Sequence, residues 1–502
     1  MINRETLIAA CLFGSTLIAG AAAAQTLRIG LAEDPDVLDP TLSRTFVSGV
    51  VRTALCDKLF DIGLELEIVP QLATEWAWTD DKKGLVINLR PGVKFHDGEP
   101  FDAAAVKYSI ERHLKTPGST RKSDISAISG IEIIDDHTAK LVLSAPFAPL
   151  LAQLAGPAGT IISPKAAQAA GENFGSHPVC AGPFKFVERV AQDRIVVERF
   201  ADYWDKDKIK LDRIVYLPVP DSTVRLANLQ SGGLDFTQVA ATDIDTVRHD
   251  PHLRLAAVNG IGYSGITINV VNGERSKSPL GRDARVRQAL ELSIDREALN
   301  QVVFNGENQP GNQWVSPTNP YYVKELPIPA REIAKAKALL AAAAVPNPVI
   351  TMTATNNPVV LQTAQVIQAM AKESGFDIRI QATEFASALQ LAAKGDFEAF
   401  MLGWTGRIDP DGNIYNIVTC NSPFNDGHYC NTEVDRELNA ARAVDARVER
   451  LAHYRIVAQH ILQDLPIIYL YHAKWLYAAS AKLSGFTPYP DGLIRPQGLR
   501  LE

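Results

Sequence analysis

Runs of period two and runs of period near 3.6 take turns along nearly the whole of this sequence, and that alternation limits the folds open to it. Leu85, Ile87 and Leu89 alternate with Val86, Asn88 and Arg90, an imperfect strand pattern. Pro91-Gly92 breaks the run, and His96-Asp97-Gly98 makes a second turn, leaving room for a short strand between them. Asp102 then stands at an N-cap position ahead of Val106, Ile110 and Leu114, which share one helical face. IEIIDDHTAKLV, residues 131–142, reads as a hairpin around Asp135-Asp136. LANLQSGGLDFTQV reads as a helix stopped by Gly232-Gly233 and followed by a strand. The stretch 283–304, opened by Asp283, reads as one helix, and residues 331–344 and 359–374 as two more. FDIRIQ, FEAFMLGW and LPIIYLY read as strands, the last two apolar enough to be buried. Such interleaving predicts mixed α/β sheets with helices on their faces. At 502 residues the chain is too long for one core, and two or three domains follow.

Composition narrows the class. A hydrophobic share of 46% with 21% charged residues is that of a globular protein. A formal net charge of −7 and the lack of a dense Lys/Arg run argue against a nucleic-acid partner. The N-terminus begins with Asn3-Arg4, continues uncharged from Leu7 to Ala24 and ends in Ala21-Ala22-Ala23-Ala24. That order reads as a secretory signal peptide over 1–24, cut before Gln25; an uncleaved membrane anchor is the alternative. Ile8-Ala9-Ala10-Cys11 faintly resembles a lipoprotein box, but its apolar run follows the cysteine instead of preceding it. Cys56, Cys180, Cys420 and Cys430 remain after cleavage, an even number suited to disulfides in an exported protein. Cys420 and Cys430 bracket the turn-rich NSPFNDGHY, where a bridge would hold a loose loop. Cys56 and Cys180 are then either the second bridge or two buried thiols.

Several stretches carry a family resemblance. LRPGVKFHDGEPFDAAAVKYSIER closely resembles the signature segment of the family 5 extracytoplasmic solute-binding proteins, the peptide- and nickel-binding components of ABC importers. LRIGLAEDPDVLDPTL resembles that family's opening, PQLATEW its "P-x-L-A-x-x-W" step, and VRQALELSIDR its "V-R-Q-A-L-x-x-A-I-D-R". HPVCAGPF resembles its "P-V-G-T-G-P-Y/F" loop, with Cys180-Ala181 in place of Gly-Thr. The resemblance covers nearly the whole mature chain. It implies an α/β, bilobal periplasmic-binding-protein fold with two interdomain crossings and an extra subdomain on the first lobe. Lobe I is expected over 25–265, with the subdomain at about 56–170, lobe II over 266–473, and a C-terminal return to lobe I over 474–502. It further implies a monomer that works with a membrane permease and needs no cofactor.

The segment expected to touch a ligand is GWTGRIDPDGN, residues 403–413, which follows a buried strand; loops at strand ends of open α/β sheets are where ligands bind. It resembles the "G-W-x-G-x-x-x-D-P-D" loop of the dipeptide-binding proteins, whose aspartate before proline receives the peptide's ammonium group. Asp409 is its match, while Asp411 reads as part of a turn. Trp404 offers an apolar wall, Gly406 lies in the same loop, and Arg407 suits an anion. The dipeptide binders place an arginine before an "N-P" to hold the ligand's carboxylate. Here that stretch reads TATNNP, residues 353–358, with no arginine.

A secreted hydrolase is the competing class. GYSGI, residues 262–266, fails the G-x-S-x-G pattern at Ile266. His249-Asp250-Pro251-His252 has a proline where a helical metal site would need helix, no C-x-x-C occurs, and no His or Met cluster suggests haem or nickel. The sequence therefore points to a non-catalytic receptor, binding an oligopeptide or dipeptide. The alternative ligand is an amine-bearing or anionic small solute, such as an opine-like or sugar-phosphate conjugate.

Overall fold

The computed structural model of the chain describes residues 25–502; the signal peptide expected over 1–24 lies outside the described residues. Three sheets organise it. The first has seven strands in the spatial order Leu253–Asn259, Lys474–Ser480, Phe236–Gln238, Thr26–Leu31, Arg213–Pro218, Arg194–Arg199 and Phe184–Val190. Thr26–Leu31 runs parallel to both its neighbours, with Leu27 and Ile29 in the core. The second has six: Gln309–Pro310, Ile467–His472, Tyr263–Ile268, Ala399–Trp404, Val349–Thr355 and Asp377–Thr383. The third is antiparallel, with Ala73–Trp78, Gly84–Leu89, Thr138–Leu143 and Ile128–Asp135.

The local chemistry explains these elements. Asp102 caps the helix Ala103–Lys115, its carboxylate accepting from the Ala105 amide at 2.8 Å, and Val106 and Ile110 are buried in one core with Leu85, Ile87 and Leu141 of the third sheet. The short strand expected between the two turns shrinks to a single pairing of Lys94 with Pro100, closed by the Phe95 amide donating to the Glu99 carbonyl and the Phe101 amide to the Val93 carbonyl, both at 2.9 Å, because the turns on either side leave room for no more. The helix expected over 283–304 is two: Ala284–Leu292, capped by Asp283, and Arg296–Phe304, capped by Asp295. The Asp295 carboxylate accepts from the Ala298 amide at 2.9 Å, so a residue that looked like mid-helix polarity starts a new helix instead.

The chain passes between the two large sheets at two places. One is Gly260-Ile261-Gly262, between Leu253–Asn259 in the first sheet and Tyr263–Ile268 in the second. The other is Ala473, between Ile467–His472 and Lys474–Ser480. The two stretches touch, the Gly260 amide donating to the Ala473 carbonyl at 3.0 Å. Both disulfides form, Cys56–Cys180 and Cys420–Cys430, which settles the alternative of two buried thiols.

Candidate functional site

The crossings set two layers against each other, and a cavity of about 420 Å³ lies between them. Each wall begins where a central strand ends. Thr26–Leu31 runs into Ala32-Glu33, and Ala399–Trp404 runs into the loop through Arg407; both endings line the cavity. Helix Phe46–Leu55 adds Arg52, and the loop held by Cys420–Cys430 adds Phe424 and Asp426.

The 403–413 loop has a tight fit. Gly406 has φ +89°, and a Cβ there would strike the backbone of Ile261 in the first crossing. A Cβ on Gly262 would strike the Trp404 carbonyl. Crossing and loop are thus pressed together at glycines. Trp404 donates from Nε1 to the Gly412 carbonyl at 3.0 Å and meets Phe424 edge-to-face, ring centres 5.3 Å apart. Arg407 lies over the Trp404 ring at 5.0 Å and donates to the Gly406 carbonyl at 2.8 Å. Trp404, Gly406 and Arg407 all line the cavity.

Asp409 sits differently from the free ligand-binding carboxylate expected of it, and it is not among the lining residues. Its two oxygens receive Arg450 Nη1 and Nη2 at 2.8 and 2.7 Å, and Oδ1 also accepts from the Asp411 amide. The reason is a partner from a distant helix, Arg447–Asp464, which no local pattern announces. Asp411 is not a turn residue but opens the helix Asp411–Val418. It is fully buried, takes Arg442 Nε and Nη2 at 2.6 and 2.8 Å, and accepts from Gln153 Nε2 at 3.3 Å. These two pairs hold the loop from behind.

Reading by motif missed the charges on the opposite wall. Among the described residues no donor reaches the Glu33 carboxylate, and burial pushes it up to about 7, with Arg225 pulling the other way and Glu384 and Asp36 adding to the rise. Arg52 donates to the Ser43 hydroxyl at 3.0 Å and, among the described residues, has no carboxylate in contact, Asp36 and Asp39 acting on it only from farther off. Burial, then Arg121 and Arg407, hold it down at about 9. Arg407 is depressed to about 10, by burial first and Arg121 second. Each had a signal: Glu33 stands two residues past the end of the first strand, and Arg52 is the lone charge in FVSGVVRTAL. Nothing local marks Arg121.

Contacts between the layers hold the two walls together. Arg44 pairs with Asp426 at 3.2 Å, Asn416 donates to Asp124, and the Ala148 amide donates to the Arg442 carbonyl at 2.8 Å. Among the described residues no group of three His, Cys, Asp or Glu side chains is placed to hold a metal.

Two large α/β sheets joined by two crossings beside a charged cavity have the architecture that a receptor closing on a small solute needs. The profile of the bacterial extracellular solute-binding proteins, family 5, matches residues 67–425, and the chain belongs to that family. It is the substrate-binding component of a peptide-type ABC importer. The glutathione-binding protein of Pectobacterium atrosepticum is 30% identical over 98% of this chain and 97% of its own length. The binding protein from A. tumefaciens solved with agropinic acid is 28% identical, with a TM-score of 0.86 over 95% of this chain and 99% of that one. The Pseudoalteromonas dipeptide-binding protein in complex with Met-Leu has the same fold, with a TM-score of 0.88 at 23% identity over 95% of this chain and 100% of that one.

Proposed function

We propose that this chain captures a short peptide in the cavity between its lobes and presents it unaltered to the permease, without catalysis. The lobes divide at the two crossings: the first runs from 25 to the crossing at 260–262, not to 265, since Tyr263–Ile268 pairs in the second sheet, with the subdomain at 56–170; the second runs to 473, and 474–502 returns to the first lobe. Export by a cleaved signal peptide over 1–24 brings the protein to the periplasm. The observation that carries this reading is the cavity itself. At about 420 Å³ it is of the size that small-molecule sites occupy, roughly 300–1,000 Å³. Its walls combine an aromatic face, Trp404, with opposite charges, Glu33 and Arg407, which suits a chain with an ammonium end and a carboxylate end. Trp404, Gly406 and Arg407 are the ligand-facing members of the loop, and Asp409 supports them through Arg450.

A second reading, a non-peptide acid such as an opine-like conjugate, is favoured by one observation. Arg407 faces the cavity while residues 353–358 hold no arginine, so the carboxylate is met from the 403–413 loop. Native and denaturing mass spectra of protein exported and purified without refolding separate the two. The expected result is a 1:1 complex that releases a mass fragmenting at amide bonds. A single defined mass without an amide backbone overturns the peptide reading, and turnover of added peptides overturns the non-catalytic one.

A further inference from the structure

Charge pairing inside the cavity leaves an uneven remainder. Arg44 is paired with Asp426, and Arg121 with Asp124 at 3.4 Å. Lys58, Asp61, Arg495 and Asp491 close a network of their own. Among the described lining residues three groups are left without an oppositely charged partner in contact, Arg52, Arg407 and Glu33; carboxylates act on the arginines only from farther off, Asp36 and Asp39 on Arg52, and Asp124 and Asp491 on Arg407. Arg225, the cation whose charge most affects Glu33, gives its N–H groups to the carbonyls of Val219, Pro220 and Gln238. Like charges lining one buried cavity wall are costly until something neutralises them.

We propose that the ligand carries two negative groups and one ammonium, with the acids read by Arg52 and Arg407 and the ammonium by Glu33. Building on the peptide reading, this assigns a peptide with one carboxylate beyond its C-terminus. Arg52 comes from the first lobe and Arg407 from the second, so a doubly acidic ligand joins the lobes by its charge. Guanidinium groups suit this work, since each can grip a carboxylate with two parallel hydrogen bonds. Once ligand is seated, Arg52, Arg407 and Glu33 each have a group of opposite charge in contact.

Two isosteric pairs of peptides test the assignment by titration calorimetry: Glu-Ala against Gln-Ala, and Ala-Glu against Ala-Gln. In at least one pair the acid is expected to bind at least tenfold more tightly than its amide. Arg407→Gln and Arg52→Gln should each erase that preference, and Glu33→Gln should weaken the free peptide but not its N-acetyl form. Ligand-free Arg407→Gln should melt no lower than the wild type, because the substitution relieves repulsion; this also checks that the variant folds. Amides binding as well as acids, arginine variants that keep the preference, or a wild type that binds neither acid would each overturn the proposal. A retained peptide with a single carboxylate would overturn it and leave the peptide reading standing. A retained doubly acidic solute without an amide backbone would do the reverse for the transported class.

Discussion

Asp411 and Arg442 are both buried, and their paired hydrogen bonds lie directly behind the cavity loop. Removing one partner strands the other charge in the interior, at a cost of about 3–5 kcal/mol. Arg442→Met is therefore expected to lower the urea-unfolding free energy by that much, and a loss under about 1 kcal/mol would contradict the assignment. His113 offers a second test. It lies between the Thr41 hydroxyl at 2.9 Å and the Thr160 carbonyl at 3.2 Å, and burial holds it down at about 3, far below its ordinary 6.5. A depressed native value means its neutral form stabilises the fold above pH 6.5, and that stability drains away as pH falls toward 3. The stability advantage of the wild type over His113→Gln should accordingly narrow as pH drops below 6.5, by thermal melts across that range; an unchanged gap would refute it. These residues also show where sequence reading stops. The DPD motif of residues 409–411 is visible in the chain, but the arginines that occupy its carboxylates lie 31 and 41 positions away. Only three-dimensional folding shows that Asp409 is already taken, while Arg52, a lone charge on an apolar helix, meets the Ser43 hydroxyl and, among the described residues, no carboxylate.

At the scale of elements, the loop between Cys420 and Cys430 carries Phe424 and Asp426 to the cavity wall. Closing a loop of 10 residues contributes about 3 kcal/mol by the chain-entropy account. The double substitution Cys420→Ser and Cys430→Ser should cost about that much stability in denaturant melts and also weaken ligand binding. Unchanged binding would mean the loop plays no part in the site. Local pattern served well wherever it was sufficient. Asp102 before an apolar helical face and the alternation at Leu85, Ile87 and Leu89 both became what their periodicity predicts, because cap and core contacts are local or repeat regularly. It failed at Asp295, where one carboxylate divides a continuous helical pattern in two. The sequence has the same letters whether an aspartate faces solvent or caps the next helix.

At the scale of the whole molecule, the α/β alternation was legible and the pairing of distant strands was not. Lys474–Ser480 lies between Phe236–Gln238 and Leu253–Asn259, a placement that the family resemblance implied and that periodicity alone could not supply. The two crossings, 260–262 and 473, are short and lie side by side, so they can serve as a hinge while Arg44–Asp426 and Asn416–Asp124 open and close. Ligand that touches both walls shifts that equilibrium toward the closed form. Small-angle scattering of the protein stripped of ligand, and again with its retained peptide restored in excess, measures this directly. The account predicts a smaller radius of gyration with ligand. Tight 1:1 binding with superimposable scattering curves would contradict a receptor that works by closing its lobes on what it carries.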